Sequence, residues 1–151
     1  MKREIISTSS VATEQLGKRI GAALKGGETI QLISDLGGGK TTLTKGIVAG
    51  IGCDDIVSSP TFTVSKEYTG TSLHLKHYDF YRLTNPGIMA HELQEDFSDS
   101  AHVTVIEWAD IVSDLLPDDA LTITIELTEK ENRVITVHAQ QSHRYIVDGL
   151  S

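Results

Sequence analysis

The chain has 151 residues, of which 39% are hydrophobic and 23% charged, a balance that suits one globular domain over residues 1–151 and argues against disorder. A formal net charge of −8 disfavours a protein whose main task is gripping a nucleic-acid backbone, because phosphate neutralisation needs clustered Lys and Arg. Cys53 is the one cysteine, no apolar run nears the ~20 residues of a membrane span, and the first residues lack a signal-like apolar core, so a cytoplasmic protein away from membranes is expected.

In chain order, Glu4–Ser7 reads as extended. A helix follows, with Val11, Leu16, Ile20, Ala23 and Leu24 roughly on one face, Ser9 or Ser10 as its N-cap and Gly26–Gly27 as its stop. Thr29–Ile33 forms a short strand, Gly37–Gly39 a glycine-rich turn, and the next helix carries Leu43, Ile47 and Val48 before Gly50 and Gly52 end it. Strand, loop and helix in that order predict a parallel sheet with a crossover. Thr63–Tyr68 and Ser72–Tyr78 flank Thr69–Thr71 as a hairpin, and Asn85–Asp96 holds a short helix. Val103–Ile106 is a near-continuous apolar run, as expected of a strand buried on both faces. Leu121–Leu127 and Val134–Ala139 alternate with period two across Thr128–Arg133, a second hairpin, whereas His143–Ser151 carries no periodic signal. The expected fold is α/β, with a mixed sheet that is parallel at its centre and antiparallel at its margins.

Ser34-Asp35-Leu36-Gly37-Gly38-Gly39-Lys40-Thr41 aligns with G-x-x-x-x-G-K-[ST], save that Ser34 stands at the first glycine. By composition such a pattern arises by chance in roughly one chain in 200 of this length. Glycines let successive backbone N–H groups converge on an anion, and the following helix adds the partial positive charge of its N-terminus. Asp35, Leu36, Gly37, Gly38, Gly39, Lys40, Thr41 and Thr42 are therefore candidate nucleotide-binding residues. Lys40 can reach β- and γ-phosphate oxygens, the Thr41 hydroxyl can ligate Mg²⁺, and Thr42 is placed for the α-phosphate. The competing reading, a glycine-rich turn that merely caps a helix, is disfavoured by the apolar strand that ends just before it.

A P-loop holding Mg–nucleotide needs an acidic residue at the end of a neighbouring buried strand. Glu107 follows Val103–Ile106, and Asp79 ends the run His77-Tyr78-Asp79. Either could hold Mg²⁺ while the other orients the attacking water; the bland alternatives are a solvated strand-end carboxylate at Glu107 and a turn former at Asp79. Ser58–Thr63 is a hydroxyl-rich loop in which Thr61 would act as a switch-like sensor of γ-phosphate, unless it is a polar surface loop bent by Pro60. His74 and His77, three apart on a strand, point to opposite faces and make a poor metal pair. Trp108 reads as a packing anchor, Tyr78, Phe80 and Tyr81 as core and edge aromatics, and Asp110 carries no role.

Taken together, the blocks Asp35–Thr42, Ser59–Thr63, His77–Leu83 and Ile106–Trp108 resemble the bacterial TsaE (YjeE) family, in order, over nearly the whole chain. That resemblance implies a P-loop NTPase-like three-layer fold and an ATPase in the biosynthesis of N6-threonylcarbamoyladenosine at position 37 of tRNAs reading codons beginning with A. It implies ATP and Mg²⁺ as cofactors, partners of the TsaD and TsaB types, contact with tRNA only through the complex, and nucleotide turnover that resets the assembly. Carried onto matching positions, Lys40, Asp79 and Glu107 are the catalytic candidates, Thr41 and Glu107 the metal candidates, and Thr61 lies in the family's switch-like loop. Residues alone reach no further than a small P-loop NTPase. A metabolite kinase and a nucleotide-sensing module without turnover stay open as alternatives, although only five arginines, none clustered, leave little for a kinase lid.

Overall fold

The computed structural model describes residues 1–34, 39–60 and 64–150. Seven strands form one sheet: β1 (Lys2–Ser7), β2 (Thr29–Ser34), β3 (Ser65–Thr69), β4 (His74–Asp79), β5 (His102–Glu107), β6 (Leu121–Leu127) and β7 (Arg133–His138), in the spatial order β1-β7-β6-β2-β5-β4-β3. The pairs β6/β2, β2/β5 and β5/β4 are parallel, and β1/β7, β7/β6 and β4/β3 antiparallel. The expected parallel centre and antiparallel margins are thus present. Helices α1 (Ser10–Ala23), α2 (Lys40–Gly50), α3 (Met89–Phe97) and α4 (Arg144–Asp148) cover the sheet, with a 3-10 helix at Ala109–Leu115.

Strand alternation divides the core into two layers. On one face Ile30, Leu32, Leu75, Val103, Val105, Ile123 and Ile135 pack against Leu16 and Ile20 of α1, Leu43 and Ile47 of α2, and Ile146 of α4. On the other, Tyr78 and Ile106 pack with Leu93 of α3 and with Ala109 and Val112 of the 3-10 helix. Burial and the acceptor Asp96 hold the Tyr78 phenol well above the usual range, so it stays a hydrogen-bond donor to that carboxylate.

Local chemistry explains where elements start and stop. Ser9 is the N-cap of α1, its side chain accepting the Ala12 N–H at 3.0 Å. Val11, expected on the apolar face, is instead exposed, whereas Thr13 takes the buried place in the first turn, its hydroxyl 2.6 Å from that of Ser7. The segment His143–Ser151 carries no periodic signal, yet it holds α4, whose Tyr145 O–H donates to the buried Glu28 carboxylate at 2.5 Å. Glu28 also accepts the Lys25 and Gly26 N–H groups, both at 2.7 Å, so one carboxylate ties the α1–β2 turn to the tail.

Helices α1 and α2 meet backbone to backbone. A Cβ at Gly17 would lie 2.3 Å from the Leu43 carbonyl oxygen, and one at Gly46 would lie 2.1 Å from that of Glu14. Gly21 and Gly50 repeat the arrangement one turn along, with 2.2 Å to the Ile47 oxygen and 2.4 Å to the Lys18 oxygen. Two glycines four apart on each helix thus seat α2, and with it Lys40, against α1.

Candidate functional site

The C-terminal ends of β2, β4 and β5 converge on one edge of the sheet, where a doubly wound α/β fold places ligands. β2 ends at Ser34, and α2 begins at Lys40 with Gly39 as its N-cap in the left-handed region at φ +109°, a conformation that favours glycine. Of the residues singled out in sequence, Asp35, Leu36, Gly37, Gly38 and Thr61 lie outside the described residues. Thr41 and Thr42 follow Lys40 in the first turn of α2, with Thr41 exposed and Thr42 half-buried. That first turn offers unpaired backbone N–H groups and the positive end of the helix dipole, which suit an anion.

Lys40 reaches back across the loop. Its Nζ donates to the Ser34 carbonyl oxygen at 3.2 Å, lies 3.9 Å from Glu107 Oε1 and sits 5.1 Å over the Trp108 ring. The side chain is only 10% exposed. Among the described residues its ammonium is held by one carbonyl, one distant carboxylate and an aromatic face, with no close ion pair to break as it turns toward an entering anion.

Glu107 and Asp79 are paired in register at the ends of the adjacent parallel strands β5 and β4. Glu107 is 3% exposed and Asp79 7%, so Glu107 is not a solvated strand-end carboxylate, while Asp79 makes the turn-forming contact that the alternative reading expected of it. Asp79 Oδ1 accepts the Tyr81 N–H at 2.9 Å, and the Phe80 N–H donates to the Glu107 carbonyl at 3.1 Å, which locks the two strand ends together. Two buried carboxylates beside a lysine and a helix N-terminus form an oxygen-donor set suited to a hard divalent cation such as Mg²⁺. Three or more metal-ligating His, Cys, Asp or Glu side chains are not grouped anywhere among the described residues.

Three residues at the site escaped sequence reasoning. His77, set aside as a metal ligand, is fully buried and its Nε2 lies 2.8 Å from Glu107 Oε2. The clue was parity, since His77 and Asp79 share one face of β4 and point toward the same layer as Glu107. Arg133, at the start of β7, packs over the turn: a Cβ at Gly39 would lie 2.9 Å from its Nε. No local pattern in the sequence announces that approach. Trp108 does pack against the second core cluster, as expected, but it also adopts φ +56°, contacts the Tyr81 ring at 4.8 Å between centroids, and lines a cavity with Lys40, Ser34 and Asp110.

The family model described as "Threonylcarbamoyl adenosine biosynthesis protein TsaE" matches residues 7–135. The chain belongs to the TsaE family. A TsaE of Bacillus subtilis is 38% identical over 84% of this chain and 79% of its own length, and one of Treponema pallidum 35% identical over 87% and 97%. Both are named as tRNA threonylcarbamoyladenosine biosynthesis proteins. The crystal structure of Bacillus subtilis YdiB superposes with a TM-score of 0.82 at 30% identity, covering 99% of this chain and 94% of that one. The layered fold and mixed sheet of this TsaE-family chain are therefore those of a solved relative. No helix among its described residues is long and apolar enough to cross a membrane.

Proposed function

We propose that this protein is a magnesium-dependent ATPase serving tRNA threonylcarbamoyladenosine biosynthesis, and that its turnover resets an assembly with TsaD-type and TsaB-type proteins. Membership of TsaE supports the pathway, while the chain's own geometry supports the chemistry. One observation carries that chemistry: Lys40, at the N-terminus of α2, lies 3.9 Å from the buried Glu107 carboxylate, itself paired in register with Asp79.

In this reading Lys40 and the first turn of α2 bind the β- and γ-phosphates, with Asp35–Gly39 wrapping the triphosphate and Thr42 at the α-phosphate. Thr41 and Glu107 would hold Mg²⁺, which when bound neutralises charge on the phosphate oxygens. Asp79 orients the attacking water, and Thr61 senses the γ-phosphate. No arginine within the sequence motifs is an obvious finger for the γ-phosphate, although Arg133 packs over Gly39; in this reading hydrolysis is slow until a partner docks and completes the charge stabilisation. The acidic net charge of −8 suits a component that meets proteins and reaches tRNA through the complex.

The test is incubation with γ-labelled ATP, alone and with TsaD-type and TsaB-type proteins. Label released as inorganic phosphate, faster with partners and abolished by Lys40→Ala, is expected. Label on a small acceptor would establish a kinase instead. Tight binding without phosphate release, even with partners, would establish a sensing module.

A further inference from the structure

The geometry points to His77 as a positioning residue: its imidazole holds the Glu107 carboxylate back from a close ion pair with Lys40, ready for the metal side of the site. This rests on the phosphate-site reading and names a residue that reading does not use. His77 sits in β4 directly beneath the paired carboxylates, opposite Val105 in register, on the face where Leu75, Val103 and Val105 make an apolar layer. An aliphatic residue would pack there without polar cost. The fold instead buries an imidazole completely, with Nδ1 lacking any hydrogen-bond partner among the described residues. An unpaired buried ring nitrogen is unfavourable, so the compensation lies at the other nitrogen.

There Nε2 is 2.8 Å from Glu107 Oε2, within a pair whose side chains are 0% and 4% exposed. A carboxylate only accepts, so Nε2 carries a proton and donates to Oε2. Glu107 is fixed through one oxygen from inside the protein, while Oε1 faces Lys40 at 3.9 Å. That separation is longer than a close ion pair, although the two charges would attract strongly in so buried a setting. His77 supplies the restraint. Without it, Glu107 can swing onto Lys40, neutralising the ammonium that should meet phosphate and withdrawing the oxygen that should meet the metal. An outer partner of this kind typically changes metal affinity or activity by about 10–100-fold when removed.

The experiment compares wild-type protein with His77→Leu and His77→Gln, whose amide can donate from nearly the same place as Nε2. Three quantities are measured: kcat with its magnesium dependence, nucleotide affinity by calorimetry with and without Mg²⁺, and the imidazole N–H proton signal by NMR. A slowly exchanging His77 N–H signal that is lost or moved in Glu107→Gln is expected, and it reports the contact independently of activity. His77→Leu should lower kcat by about 10-fold or more, raise the half-saturating Mg²⁺ and reduce the gain in affinity that Mg²⁺ brings. His77→Gln should recover most of all three. If wild-type protein binds and hydrolyses ATP while folded His77→Leu matches it in kcat and magnesium response, the positioning role is wrong although the phosphate site stands. If wild-type protein binds no nucleotide, the phosphate-site reading itself fails, and the role with it.

Discussion

Replacing Gly46 by alanine sets two physical rules against each other. In an ordinary helix interior alanine is favoured over glycine by about 1 kcal/mol. Here the new Cβ would stand 2.1 Å from the Glu14 carbonyl oxygen and 2.9 Å from the Gly17 Cα. The first of these is about 1.3 Å short of ordinary contact, and both obstacles are backbone atoms that cannot turn aside. Helix α2 must move away from α1, opening a seam along Leu16, Ile20, Leu43 and Ile47, which are at most 2% exposed. Overpacking of this kind costs about 1–3 kcal/mol, and at its upper end that outweighs the helix-propensity gain by about 2 kcal/mol. For a domain of this size the melting temperature should fall by about 4–8 °C. Thermal and urea unfolding followed by circular dichroism would read this. Gly17→Ala should behave alike, and the double variant should cost less than the sum, since the first substitution has already parted the helices. Because α2 carries Lys40 at its start, nucleotide affinity should drop with stability. A Gly46→Ala protein more stable than wild type would refute close backbone packing of the two helices.

The tail and the opposite end of the sheet give two further tests. Tyr145→Phe removes one of three donors to buried Glu28; a loss of about 1–2 kcal/mol in urea unfolding is expected, and no change would mean that the tail does not anchor the α1–β2 turn. His102 is pulled down by partial burial but raised overall above 6.5, through Glu67 at 3.0 Å and Asp99 at 2.9 Å, the latter at ion-pair distance without hydrogen-bond geometry. A raised folded value means that its contribution to stability is complete below about pH 6.5 and is lost as pH rises through the folded value. The stability advantage of wild type over His102→Gln should therefore shrink between about pH 6 and pH 8; an advantage that grows over that range would reverse the assigned sign.

Sequence alone carried the order of elements, because apolar period and turn residues are local properties. Leu121–Leu127 was bounded correctly, Ser9 capped its helix, and Val103–Ile106 lay within a strand that is buried on both faces. The glycine-lysine motif around Lys40 and the strand-end positions of Asp79 and Glu107 were readable for the same reason, since a motif and a strand terminus are each contained in a few adjacent residues. Other features depend on what the chain brings together. The glycines at 17, 21, 46 and 50 look like helix weakeners until two helices cross at them. Arg133 reaches Gly39 only because β7 folds back beside β6, and β6 pairs with β2. The pairing of His77 with Glu107 spans 30 residues and follows from the register of β4 on β5. Contacts between residues far apart leave no periodic trace in the chain; only the assembled sheet, by fixing which strand lies beside which and in what register, could decide them.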